Sequence, residues 1–176
     1  MANPYSAPNR HEDERPLQQL AGKVRVLQTI TVGLLTGVFV VTGIFLVMNE
    51  GVLGDTPELI SWIAIGFAAL VFVNHLVIPG IVAKTILKNV SADAFRDADE
   101  GGKHELLFPA YQTRHIVACA MLESGVFFNL VAYMATEYAG NLVTACVQTA
   151  MIAIRFPTAT RAQFWIQDHI RELELS

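Results

Sequence analysis

Residues 26–48 read VLQTITVGLLTGVFVVTGIFLVM, twenty-three positions without a charge, preceded by Lys23 and Arg25 and followed by Glu50. A hydrocarbon layer about 30 Å thick needs roughly 20 helical residues, so this stretch predicts a membrane-crossing helix. Outward along the chain the pattern recurs at 59–83, 116–135 and 142–156, the last shorter than the others. The charges sort with it. All twelve Lys and Arg residues lie in three groups: Arg10, Arg15, Lys23 and Arg25 come before the first stretch, and Lys84, Lys88, Arg96, Lys103 and Arg114 lie between the second and third. Arg155, Arg161 and Arg171 follow at the end. The connections 49–58 and 136–141 hold Glu50, Asp55, Glu58 and Glu137 and no base. Short loops rich in Lys and Arg stay on the cytoplasmic side. The reading is an all-α, integral membrane four-helix bundle with both termini cytoplasmic, placed in the cell's inner membrane.

Composition agrees with that class. Charged residues make up 16% of the chain, against about 25% in a soluble domain, and the mean hydropathy is +0.42. Three parts are expected: a cytoplasmic N-terminal tail at 1–25, a transmembrane domain at 26–156 with a cytoplasmic loop at 84–115, and an amphipathic cytoplasmic helix at 157–176. The tail has no short apolar run with a small-residue cleavage site, so the first helix is expected to serve as the targeting signal. Its Pro4, Pro8 and Pro16 and its His-Glu-Asp-Glu-Arg run predict a segment that buries little, with 17–25 as an interfacial lead-in. In the loop, Asp93, Asp97, Asp99 and Glu100 lack the spacing of a calcium loop and read as a solvated acidic turn. At the C-terminus Ala162, Trp165, Ile166, His169, Ile170 and Leu173 recur at helical spacing. That stripe suits the membrane surface, a partner or the middle loop. A short similarity between 36–39 and 124–127 raises the prospect of two like-oriented halves.

Chemistry-bearing residues are few. Glu123 stands nine residues beyond Arg114, about 13 Å into the membrane at 1.5 Å per residue, where an ionisable group is expensive and faces protein or water. His75 stands nine residues before Lys84, so the same ruler puts it at the same depth. Pro79 has no N–H for the carbonyl of His75, which leaves a further polar group at this level. With Thr36, Asn74, Asn129 and Gln148 they make a candidate polar layer, either a proton or cation path with Glu123 as carrier and His75 as partner, or a set of interhelical hydrogen bonds. Gly33 and Gly37 form a GxxxG that allows close helix packing. Arg114, His115, Arg155 and Trp165 read as interfacial anchors, with anionic lipid headgroups as a further ligand.

No phosphate loop, nucleophile elbow, HExxH or haem motif is present, and Cys119 and Cys146 have neither CxxC spacing nor clustered His partners. No catalytic residue, metal site or cofactor is predicted, and no basic nucleic-acid footprint is seen. The partners expected are the lipid bilayer and a homo-oligomer or membrane-complex companion.

The run AMLESGVFFNLVAY at 120–133 resembles the carboxylate-bearing helix of rotary ATPase ring subunits, in which an acid within an apolar helix precedes an aromatic and Leu-Val run. The resemblance covers one helix of four. It departs from that family in three respects: the first helix lacks a dense glycine repeat, the acid is on the first helix of a hairpin, and both termini are expected inside. It implies only that a Glu at this position is held in protonatable form. The expected function is a small non-enzymatic interaction or assembly subunit. Proton or cation translocation is the alternative, and a lipid-acting enzyme using Arg114, His115, Arg155 and His169 is a third class.

Overall fold

The computed structural model describes the backbone of residues 10–175 and side-chain surroundings from Leu20 onward. The described chain is all-helical, with α1 at Arg10–Met48, α2 at Leu59–Lys88, α3 at Ala92–Asp97, α4 at Glu100–Thr136, α5 at Ala139–Ile154 and α6 at Ala159–Glu174. Three helices are long and apolar enough to cross a membrane: α1 from Leu20, α2 and α4. A fourth crossing exists only if α5 and α6, bent by 71° at their junction, are taken together. By itself α5 has 16 residues, about 24 Å of helix, which is short of a 30 Å layer. The expected multi-pass membrane class therefore stands at three to four spans.

Two expected boundaries are corrected. The segment 10–25, of which only 17–25 was expected to lead into the first helix, is helical throughout, because α1 is continuous from Arg10. Leu20, Val24 and Leu27, at helical spacing, are buried in one cluster with Leu107, Phe108 and Tyr111 of α4, and this packing carries the helix past the apolar stretch. The expectations for 1–9 lie outside the described residues. In the segment 84–115 the second helix continues through Lys84 to Lys88, as its sequence leads one to expect, but the rest is mostly helix as well, since α3 follows and α4 starts at Glu100. The acidic, Gly-containing run that looked like a turn is a helix start. Asp99 accepts from the Gly102 N–H at 2.7 Å and Glu100 occupies the first turn, where negative charge suits the helix N-terminus.

Registers follow from cross-helix hydrogen bonds. Lys23 with Glu105, Thr31 with His115, and Asn49 with Tyr133 tie α1 to α4 in parallel, at separations of 82, 84 and 84 residues. Asn141 with Ser61 and Gln148 with Ala68 tie α5 to α2 in parallel, both at 80. The central helix is α4, which touches α1, α2, α3, α5 and α6, whereas α1 and α2 do not meet among the described residues. The two halves therefore pack differently, since α4 and α5 form a contacting hairpin and α1 and α2 do not.

Two apolar clusters result. One, at the end rich in Lys and Arg, joins α1, α2, α3, α4 and α6, with Ala162 and Ile166 of α6 fully buried on it. Of the three settings open to the C-terminal stripe, packing on the 84–115 segment is the one observed. The other cluster joins α1, α4 and α5 through Val38, Leu122, Val126, Leu130 and Ile152. At the far end, the Gly54 N–H donates to the Glu137 carbonyl at 2.8 Å and the Ala139 N–H donates to the Gly54 carbonyl at 2.9 Å, which clamps the two acidic connections together. A Cβ on Gly54 would come within 3.3 Å of that Glu137 oxygen, so the close approach favours glycine.

Candidate functional site

The buried face of α2 is built from small residues three or four apart, including Ser61, Ala64, Ala68, Pro79 and Ala83. Small side chains let α4 and α5 approach closely enough to reach backbone carbonyls of α2. Asn129 Nδ2 donates to the Ala64 carbonyl at 3.1 Å and to the Gly125 carbonyl at 3.0 Å. Gln148 Nε2 lies 3.5 Å from the Ala68 carbonyl, at the limit of a hydrogen bond. Its amide rests against Gly125, where a Cβ would meet Gln148 Nε2 at 2.3 Å. Toward the far end the seam continues through Asn141 Nδ2 to Ser61 Oγ at 3.1 Å and Ser61 Oγ to Thr136 Oγ1 at 3.0 Å.

His75 belongs to the same face of α2 and is buried. Its Nδ1 donates to the Phe72 carbonyl, which fixes the tautomer and leaves Nε2 as a lone-pair acceptor without a partner. Asn129 Oδ1, Asn141 Oδ1 and Gln148 Oε1 are buried and unpartnered as well. The 80-residue register of α5 against α2 puts His75 level with Arg155.

Glu123 is elsewhere. It is half-buried and makes no hydrogen bond or ion pair among the described residues. On α4 the direction of α2 is given by Phe128, whose ring meets Phe67 edge-on at 5.2 Å, and by Asn129 on Ala64. At 100° per residue their mean direction is roughly 190° from Glu123. His75 and Glu123 share a depth to within about a turn, yet α4 stands between them and no hydrogen bond joins them. Two other members of the expected layer are also off the seam: Thr36 is exposed on α1, and Asn74, next to His75, is half-exposed. Ser61, Thr136 and Asn141 belong to the seam and were not singled out in the sequence. Ser61 heads the small-residue stripe of α2, and that spacing is the signal that would have found it.

Gly33 and Gly37 face open space, with nothing within 4 Å of a Cβ at either. They lie on an exposed stripe of α1 with Val26, Ile30, Val40 and Ile44, spaced alternately four and three apart. Phe39 lines a groove between α1 and α5, and Gly37, two residues before it, points to the other side of α1. Glu123 has the same relation to Gly125, which faces Gln148 of α5. Both therefore lie on the flank of the α1–α4 contact away from α5, and the 84-residue register puts Glu123 level with Phe39, within a turn of Gly37.

The expected interfacial residues do converge. Arg114, His115, Arg155 and Trp165 line one cavity of ≈ 200 Å³ with Tyr111 and Arg161. His169 lies outside this lining and stacks on Trp165 with ring centroids 4.0 Å apart. The Arg114 guanidinium is 5.8 Å from the Trp165 ring centre. Arg161 Nη1 donates to the carbonyls of Ile154 at 2.8 Å and Phe156 at 3.3 Å, so it closes the end of α5. Thr31 gives its hydroxyl hydrogen to the Leu27 carbonyl at 2.9 Å, so its oxygen accepts from His115 Nε2 at 2.9 Å, which makes Nε2 the protonated nitrogen. Compared with known protein families, curated proteins and solved structures, the chain matches none.

Proposed function

We propose that this chain is a non-enzymatic membrane subunit that works by assembly, as a bundle of four crossing segments in the inner membrane with both termini cytoplasmic and α6 as an amphipathic cytoplasmic helix. A second membrane helix, from another copy, covers the flank formed by α1 and α4. The observation that carries this is Glu123, a carboxyl about 13 Å inside the basic boundary by helical rise that has no hydrogen-bond or ion-pair partner among the described residues. Left against lipid, such a group costs about 2.5–3.5 kcal/mol on insertion scales, and a hydrogen-bonding partner helix removes that cost. The open Gly33–Gly37 stripe beside it admits close backbone approach.

Cysteine cross-linking tests the reading. Gly37→Cys, in a background with Cys119 and Cys146 replaced, is expected to form a disulfide dimer in membranes, and Glu123→Gln to change its yield. A protein that stays monomeric in mild detergent and in membranes, with no copurifying chain, overturns it.

Translocation of a proton or cation remains the second reading. It is favoured by the four unpartnered buried atoms of His75, Asn129, Asn141 and Gln148 along one seam. Proteoliposomes with an internal pH dye test it. A flux abolished by His75→Ala supports a path along the seam, and an absence of flux in the unaltered protein removes it.

A further inference from the structure

We propose that Tyr111, Arg114, His115, Arg155, Arg161 and Trp165 form a binding site for a phosphate group, with a phosphomonoester as the best-matched ligand. Three guanidinium groups share this cavity and, among the described residues, no Asp or Glu lines it. The ion pairs among the described residues, Lys23 with Glu105 and Lys103 with Glu174, use lysines and lie elsewhere. Three like charges around one space repel each other, and an anion between them reverses the sign of that interaction.

Among the described residues no carboxylate pairs with any of the three guanidinium groups, so donors stay available. Arg161 spends Nη1 on two carbonyls at the end of α5 and keeps Nε and Nη2. Arg114 is steered by the Trp165 ring. Arg155 is half-buried at the C-cap of α5, where its backbone N–H caps the helix, and its guanidinium makes no hydrogen bond among the described residues. His115 is anchored through Nε2, so its Nδ1 is a lone-pair acceptor and the guanidinium groups are the donors of the site.

The donor set selects the ligand. Guanidinium forks match the paired oxygens of a phosphate. A phosphomonoester carries about −1.5 to −2 charges at pH 7, closer to three cations than the single charge of a diester. The ≈ 200 Å³ of space is several times the share of one water, about 30 Å³. Two sources present this chemistry: a lipid whose headgroup is a terminal phosphate, and free phosphate or a soluble phosphate ester. Arg114 and Arg155 mark the boundary of the apolar segments, where lipid headgroups lie.

Trp165 lines the site and Trp62 does not, so a Trp62→Phe background makes Trp165 the sole indole reporter. In maltoside micelles at constant ionic strength, phosphatidic acid is titrated beside phosphatidylglycerol and inorganic phosphate. A saturable change in Trp165 emission is expected with phosphatidic acid, weakened at least about tenfold by Arg155→Gln with Arg161→Gln, in line with the loss of charge-assisted hydrogen bonds. Arg114→Gln, which removes no hydrogen bond within the described chain, gives the same direction if the double variant does not fold. Native mass spectrometry counts bound phosphatidic acid independently. Saturation by phosphatidic acid alone assigns the site to a lipid, and competition by inorganic phosphate assigns it to a free phosphate. No saturable change with any probe, or equal affinity in the unaltered protein and the variants, overturns the proposal.

Discussion

The side of α4 that meets α2 and α5 and the side that carries Glu123 are made from the same helix at the same depth. On the first, Gly125 and Asn129 are buried, and polar groups find carbonyls of α2 exposed by Ala64 and Ala68. On the second, the carboxyl of Glu123 has no hydrogen-bond or ion-pair partner among the described residues, and a Cβ on Gly33 or Gly37 of α1 would meet nothing within 4 Å. The contrast teaches that polarity within the membrane is not one layer here. It divides into a seam of hydrogen bonds within the chain and a flank where the Glu123 carboxyl makes none among the described residues.

Four substitutions break or sharpen that contrast. The largest effect is expected from Gly125→Leu. The new side chain would occupy the space of the Gln148 amide, and overpacking of this kind costs about 3 kcal/mol, read as a lowered midpoint of SDS unfolding. Asn129→Ala, which removes two hydrogen bonds, should cost about 1 kcal/mol in the same assay. A neutral result would mean that small-residue packing alone holds α2. Glu123→Leu should act in the opposite direction on the monomer, stabilising it by up to about 1 kcal/mol because a costly carboxyl is removed. A large destabilisation there would reveal an internal role for the carboxyl. The smallest monomer effect, within about 0.5 kcal/mol as at ordinary surface sites, is expected of Gly37→Leu. Dimer cross-linking through Gly33→Cys in the same cysteine-free background should nevertheless fall when Gly37→Leu is added, and an unchanged yield would move the interface away from α1.

Much of this was legible without coordinates, and the particular failures are informative. The apolar runs at 26–48, 59–83 and 116–135 are each contained in an observed helix because their length and hydropathy are local properties. The ends were misjudged where polar sequence becomes helical through packing. Leu20 and Val24 are buried by α4, and Gly101 and Gly102 sit in a first turn capped by Asp99. Of the candidate layer, Asn129, Gln148 and His75 lie on the seam and Glu123, Thr36 and Asn74 do not. Rise per residue gives depth from a count, but the direction of a side chain depends on which helix lies beside it. The charged rim shows the reverse case. Arg114, His115 and Arg155 were named as separate anchors, and α6 brings Arg161 and Trp165 to them.

What the sequence determined by itself is the multi-pass helical class of the chain, three of its long apolar helices and the absence of Lys and Arg from the connections 49–58 and 136–141. These follow from composition and from a fixed helical rise. What only the tertiary structure decided is the central place of α4, the separation of α1 from α2, the azimuths that keep Glu123 and His75 apart, and the meeting of three arginines around one cavity. Those depend on contacts between residues far apart in the sequence, such as Ala64 and Asn129, 65 positions apart. No local pattern encodes such contacts, because any apolar helix face fits several neighbours, and the choice among them rests on the packing of the whole chain.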